Sequence, residues 1–151
     1  MSFQESNFCG ANNWFYSDIV KSHFLSPRNF LIDEKKYKYD GKGVVGSPSC
    51  GDMMVVYIKV YKDKKGIEKI KECRWQTFGC ASAIAAASIM SIIVTENKGM
   101  SLKQAKKIKP QEIVERLGGL PERKFHCSVL SHKALRLAIE NYEKKMKNKI
   151  N

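Results

Sequence analysis

The spacing of apolar residues along the chain changes period twice. From Phe15 to Leu25, Phe15, Ile19, Val20 and Phe24 recur at helical spacing. This predicts a helix that stops at Ser26-Pro27, because the residue before a proline avoids helical angles. Residues 28–42 are polar and lysine-rich and read as a loop or irregular segment, with Val44–Val45 starting a short strand. The period then becomes two: Met54, Val56, Ile58 and Val60 alternate with Val55, Tyr57 and Lys59 over Met54–Tyr61. Lys62–Gly66 is a charged hairpin turn. Ile70–Phe78 is the next strand, with Cys73 and Trp75 on one face and Arg74 and Gln76 on the other.

Gly79 breaks that strand, and the pattern returns to a helix opening at Cys80-Ala81-Ser82 and running to Thr95. It is apolar on nearly every side, so it is expected to be buried. Ser101–Lys107 and Pro110–Leu117 read as two short helices. Ser101 is placed as an N-cap with Gln104 three residues on, and Pro110 suits a first helical position. After Gly118-Gly119 and Pro121, a last helix begins near Cys127 and carries Leu130, Ala134, Leu137 and Ala138 on one face. Strands come first and helices mostly after. The class is therefore α+β: a small antiparallel sheet of about three strands packed against helices, with an N-terminal helix and a long C-terminal helix. The expected organisation is a disordered segment over residues 1–15 and a single domain over 16–151.

Composition narrows the setting. The 151 residues support one core, and the 43% hydrophobic fraction is ordinary for a folded protein. The longest apolar run, Ala83–Val94, is interrupted by Ser88 and Ser91 and falls short of the roughly 20 residues a membrane span needs. The first residues lack the basic and apolar segments of a secretory signal, so a cytoplasmic location is expected. In such a reducing compartment Cys9, Cys50, Cys73, Cys80 and Cys127 are expected to stay thiols. None forms a CxxC pair, so spacing suggests neither a zinc ribbon nor a thioredoxin-like site. Cys73 reads as plain core, Cys9 has no assigned role, and His23 and His132 read as structural.

The charge of +12, from 27 Lys and Arg against 15 Asp and Glu, fits a solvated surface with a basic helical tail at Lys144, Lys145, Lys147 and Lys149. Aromatic residues do not interleave with the lysines as in a single-strand stacking platform, and no nucleic-acid partner is expected.

The cysteines carry the chemistry. Cys50 lies in a turn-rich loop beside Gly51 and Asp52. Cys80 and Cys127 each stand where a helix begins. Helix N-termini offer free N–H groups and partial positive charge, and a thiol there falls from about 8.5 to between about 3.5 and 7.5. The thiolate is the form that binds metal and attacks sulfur. With Asp52 and His126 alongside, three converging loops would make a site of three thiolates with a choice of fourth ligand.

The segments around these cysteines are distinctive. Gly46-Ser47-Pro48-Ser49-Cys50-Gly51-Asp52, Arg74–Ala85 around Cys80, and Lys124-Phe125-His126-Cys127-Ser128-Val129-Leu130 resemble, in order, the three cysteine motifs of the IscU/NifU family of iron–sulfur cluster assembly scaffolds. Tyr16-Ser17-Asp18-Ile19-Val20, His23-Phe24 and Pro27-Arg28-Asn29 are similar to that family's opening helix and the turn after it. The likeness runs from Tyr16 to Tyr142.

It implies a scaffold rather than an enzyme. Cys50, Cys80 and Cys127 would be cluster ligands, Asp52 a ligating carboxylate that keeps the cluster labile, and His126 an alternative ligand. Cys127 would accept persulfide sulfur from a cysteine desulfurase, and Tyr16 would make contacts near the site. The cargo would be a transient cluster, [2Fe–2S] in the first instance, with zinc as an occupant of the isolated protein. Implied partners are the desulfurase, recipient apoproteins, a ferredoxin, an iron-binding regulator and a chaperone, with pairing into a homodimer and no membrane.

Stable clusters usually have four cysteine ligands. Three thiolates and one harder ligand suit release. Two positions depart from the family's pattern. Leu120-Pro121-Glu122-Arg123-Lys124 stands where the family's chaperone reads Leu-Pro-Pro-Val-Lys, and Ala81 replaces a glycine. The competing reading is a zinc-bound sulfur carrier that builds no cluster. A Cys127–His126 hydrolase is disfavoured, because adjacent helical residues point roughly 100° apart.

Overall fold

The computed structural model of the chain describes residues 16–47 and 51–150. The expected disordered segment over 1–15 lies outside the described residues. Helix α1 (Asp18–Leu25) starts at a serine cap, where Ser17 Oγ accepts from the Val20 N–H at 3.1 Å. It ends at Ser26, ahead of Pro27, as the proline dictates. Its expected start at Phe15 also lies outside the described residues.

Three strands, β1 (Gly41–Ser47), β2 (Asp52–Lys62) and β3 (Glu68–Phe78), form an antiparallel sheet in the order β1-β2-β3. Strand β1 begins three residues before the expected Val44. Gly41 and Gly43 read as loop in sequence, but they lie in the strand because the last helix rests on them. A Cβ on Gly43 would sit 2.1 Å from the Ala134 carbonyl oxygen, and one on Gly41 would sit 2.3 Å from that of Ala138. Only glycine lets a helix backbone come that close to a strand.

The sheet is covered on both sides. Met54, Val56, Ile58, Cys73 and Trp75 point into the main core, as their alternation predicts, and Ile70 joins that face beyond a register shift between Lys59 and Val60. On the other face, Val55 and Tyr57 are buried under Leu31, Tyr37 and Tyr39. Residues 28–42 are therefore not simply a loop. Asn29 turns the chain at φ 63, and the Leu31 N–H donates to the Trp75 carbonyl at 2.9 Å. A single 3-10 turn, Glu34–Lys36, follows.

Helix α2 (Ala81–Ile93) is buried almost all round, packing on α1, β3 and the last helix. Its small Ala and Ser residues permit that many neighbours. The buried hydroxyls are satisfied, as interior polar groups must be. Ser88 Oγ lies 2.7 Å from His23 Nδ1, and Ser91 Oγ accepts from Asn29 Nδ2 at 2.9 Å. Helix α3 (Leu102–Lys106) has the Ser101–Gln104 capping box, and α4 (Pro110–Arg116) has proline in its first turn.

A 3-10 turn, Glu122–Lys124, leads into α5 (Phe125–Ile150), two residues earlier than expected. The core face of α5 runs through Leu130, Ala134, Leu135, Ala138 and Ile139. Leu137, expected on that face, is 42% exposed. Ala134 and Ala138 press on the β1 glycines, which centres the buried stripe on them and turns Leu137 to the side. No helix among the described residues is long and apolar enough to cross a membrane.

Candidate functional site

Three chain segments meet at one end of the sheet. The first is the start of β2, where Gly51 takes φ 69 and delivers Asp52 into register with Ser47. The second is the break after β3, where Gly79 separates the strand from α2. A Cβ on Gly79 would sit 3.1 Å from Asp52 Oδ1, so the glycine makes room for the carboxylate. The third is the first turn of α5, which carries His126 and Cys127.

Cys80 is the N-cap residue of α2, and its Sγ lies 3.7 Å from Cys127 Sγ. The pair divides its charge unequally. The Cys127 thiol hydrogen-bonds to Cys80 and draws the Cys80 pKa down to about 5, against the opposing effect of burial. The backbone amides of Ala83 and Ser82 and the charge of Lys124 act in the same direction. None of those amides closes a formal capping bond. Cys127 is pushed upward because it donates to Cys80, lies in the interior and faces the charges of Cys80 and Asp52. The expectation that both helix-start cysteines carry lowered pKa values thus holds for Cys80 and fails for Cys127. Two thiols in contact cannot both ionise readily, and the half-buried one keeps the charge.

His126 is oriented from behind. Its Nδ1 lies 3.1 Å from the Arg123 carbonyl oxygen, which can only accept, so Nδ1 carries the proton and donates. That leaves Nε2 turned into the site, with its lone pair available in the neutral ring. It faces Asp52 Oδ2 at 3.4 Å and Cys127 Sγ at 3.6 Å. Ligand atoms of Asp52, His126 and Cys127 all lie within 4.8 Å of one another. One carboxylate, one imidazole lone pair and sulfur converge, and a ring nitrogen held by a carbonyl is the usual support for a metal-ligating histidine. Such a donor set suits a cation.

The short Cys127–His126 separation corrects one expectation. Neighbouring helical residues were expected to point too far apart to meet, yet the imidazole folds back within the first turn and reaches the sulfur. Its Nδ1 is held by a carbonyl rather than by a carboxylate, unlike the third member of a catalytic triad.

Of the sequence-predicted residues, the structure brings together Asp52, Cys80, His126 and Cys127. Cys50 lies outside the described residues. Tyr16 stands at the site margin, where its hydroxyl accepts from Ser82 Oγ at 2.8 Å. Lys124 enters the sequence reading as part of the third cysteine motif and of the altered segment before it, with no role assigned. Burial works against its charge, but Cys80, Tyr16 and Cys127 outweigh this and raise its pKa. Its signal in sequence is its place two residues before His126. Cys73 is buried in the core with its thiol pushed up to about 12 by desolvation, in keeping with a structural role.

Comparison with known proteins gives a consistent picture. Residues 15–149 match the family described as NifU-like N terminal domain. The chain is 46% identical over 130 residues to the iron-sulfur cluster assembly scaffold protein IscU 1 of Archaeoglobus fulgidus, covering 86% of this chain and 78% of that protein. It is 42% identical over 134 residues to the iron-sulfur cluster assembly scaffold protein IscU of Rickettsia prowazekii, covering 89% of this chain and 96% of the relative. The crystal structure of a nitrogen-fixing NifU-like protein (N-terminal) from Brucella abortus shares the fold. Its TM-score is 0.58 at 18% identity, over 85% of this chain and 94% of that one.

Proposed function

The chain belongs to the NifU-like N-terminal domain family, and from that premise we infer that it is a scaffold on which iron–sulfur clusters are assembled. The observation that carries the reading is the cluster of Asp52, His126 and Cys127, with Cys80 in contact with Cys127. With Cys50, two residues before Asp52 in the chain, the ligand set is three thiolates, one carboxylate and one imidazole. Cysteine holds iron firmly, and the harder oxygen and nitrogen donors hold it less so. A cluster bound in this way is cargo that can leave. The first expectation is a [2Fe–2S] cluster passed to recipient apoproteins.

Sulfur would come from a cysteine desulfurase as a persulfide. A thiolate of the scaffold attacks the donor's terminal sulfur. A new S–S bond forms on the scaffold, the donor's S–S bond breaks, and the donor cysteine leaves as a thiolate, with no net oxidation. Cys80, half-buried and ionised, is the thiolate a donor meets first. Cys127, behind it at 3.7 Å, is where the family resemblance places the sulfur. Its proton has two acceptors within reach, Cys80 Sγ and His126 Nε2 at 3.6 Å.

The same donors suit tetrahedral zinc, so zinc is a competing occupant of purified protein, and a zinc-bound sulfur carrier is the rival reading. Anaerobic incubation of the full chain with iron and sulfide separates the two. Visible absorption together with acid-labile sulfide bound to the protein is the expected result. Zinc retained throughout, with no sulfide bound, would overturn the scaffold reading.

A further inference from the structure

The end of the sheet farthest from the cysteines carries a second feature. In the β2–β3 pair, Met53 lies opposite Phe78 at the site end, and Lys62 lies opposite Glu68 at the other. Lys62 lies ten steps along β2 from Asp52, a distance of about 33 Å. At that far end two concavities adjoin. One, of about 680 Å³, lies between the start of β3, helix α3 and Glu143 of α5. The other, of about 580 Å³, lies between the β2–β3 hairpin and Lys98. Ile67 and Lys69 line both, so they form a continuous groove with Ile67, 45% exposed, at its centre.

The charges of this groove are unbalanced. Each of its carboxylates is already engaged. Asp63 pairs with Lys69 at 3.4 Å, Glu143 pairs with Lys106 at 2.8 Å, and Glu68 accepts from the Tyr142 hydroxyl. Lys62, Lys64, Lys65 and Lys98 on the hairpin side and Lys103 and Lys107 on the α3 side form no ion pair among the described residues.

The floor is also pinned. Asn97 and Lys98 both take left-handed backbone angles, φ 54 and 68, which cost a side-chain-bearing residue energy. The Lys98 carbonyl accepts from the Tyr61 hydroxyl on β2, and Gly99 N–H donates to the Glu96 carbonyl at 3.0 Å. A lysine held in that conformation is presented before any partner arrives.

We propose that this groove docks the acidic face of a partner protein, one that offers carboxylates around a small apolar side chain. Charge complementarity selects the partner's sign, and the exposed Ile67 selects protein over nucleic acid. The cations of the groove are all lysines, with no arginine fork to grip phosphate, and among the described lining residues the one aromatic, Tyr61, is tied by its hydroxyl to the Lys98 carbonyl. Lysine-rimmed, partly apolar surfaces of this kind suit transient, electrostatically steered encounters. The distance from the cysteines lets such a partner stay bound while sulfur donor and cluster recipient exchange at the other end.

The test is a titration of isotope-labelled full chain, monitored by amide NMR shifts, with a synthetic peptide of Glu and Asp flanking one leucine. Expected shifts fall in residues 61–69 and 98–107, spare Asp52, Cys80 and His126, and diminish as salt is added. The double charge reversal Lys64→Glu with Lys103→Glu should weaken binding about tenfold, summing exposed charge contributions. It should leave iron and sulfide uptake at the distant cysteines unchanged, so failure here is distinguishable from failure of the scaffold reading. Absence of binding at low salt would overturn the proposal. So would shifts centred on Lys144–Lys149, undiminished binding by the double variant, or tighter binding of duplex or single-stranded DNA to the same residues.

Discussion

Cys80 Sγ lies 3.7 Å from Cys127 Sγ, and the contact makes one of them a thiolate at the expense of the other. In reduced, chelator-treated protein, alkylation of Cys80 by iodoacetamide should reach half its maximum near pH 5. Cys127→Ala removes the largest contribution and should move that midpoint up toward the ordinary thiol range. Mass spectrometry of the alkylated peptide measures it. A midpoint that ignores the substitution would mean the helix N-terminus and Lys124 alone set the charge.

The same pair makes a prediction about sulfur transfer. Cys127→Ser should abolish the stable persulfide adduct left by a desulfurase, while Cys80→Ser should slow its formation. Intact-mass measurement after a single exposure to the donor distinguishes them. An undiminished adduct on Cys127→Ser would move the assignment to Cys80.

In the proposed ligand set Asp52 is the hard ligand, so its removal should favour retention. Asp52→Ala is expected to slow cluster transfer to an acceptor apoprotein by about tenfold, the scale on which changes around a ligand set move metal affinity. The rate at which the acceptor's absorption appears is the readout, and an unchanged rate would remove Asp52 from that role.

His23 links stability to pH. Burial, then Arg28 and Arg116, lower its pKa from 6.5 to about 4, and its Nδ1 meets Ser88 inside the α1–α2 contact. The folded state therefore takes up the proton later than the unfolded state. The stabilising contribution is complete above pH 6.5 and is lost as pH falls toward 4, amounting to about 3 kcal/mol in full. Urea unfolding at pH 7 and pH 4.5 should show this loss, and His23→Asn should shrink the difference. An equal difference in that variant would assign the acid sensitivity to other groups.

Gly43→Ala places a methyl 2.1 Å from the Ala134 carbonyl oxygen and 2.5 Å from the Ala138 nitrogen, both backbone atoms of α5. Destabilisation of about 2–3 kcal/mol is expected from such overpacking. Gly46→Ala, in the same strand but with its nearest neighbour at 4.0 Å, is the control and should unfold like the parent. Equal behaviour of the two would mean α5 can lift off β1 at little cost.

The sequence by itself determined the elements and the candidate chemistry. Period-two alternation in β2 and β3 placed Met54, Val56 and Trp75 on the core face. The apolar content of α2 foretold its burial, and Pro27, Pro110 and the Ser101–Gln104 pair marked helix ends. The three motifs singled out Asp52, Cys80, His126 and Cys127 before any geometry.

What it could not supply were relations between segments far apart in the chain. Gly41 and Gly43 look like loop until α5 lies on them, because a glycine needed for close approach leaves no local signature. Leu137 fits a helical face by spacing, but the direction of the buried stripe depends on where β1 sits. The unequal sharing of a proton between Cys80 and Cys127 was likewise decided by tertiary structure. Both cysteines occupy helix starts, and local reasoning treats them alike. Only the 3.7 Å contact, with one sulfur buried and the other half-exposed, makes them different.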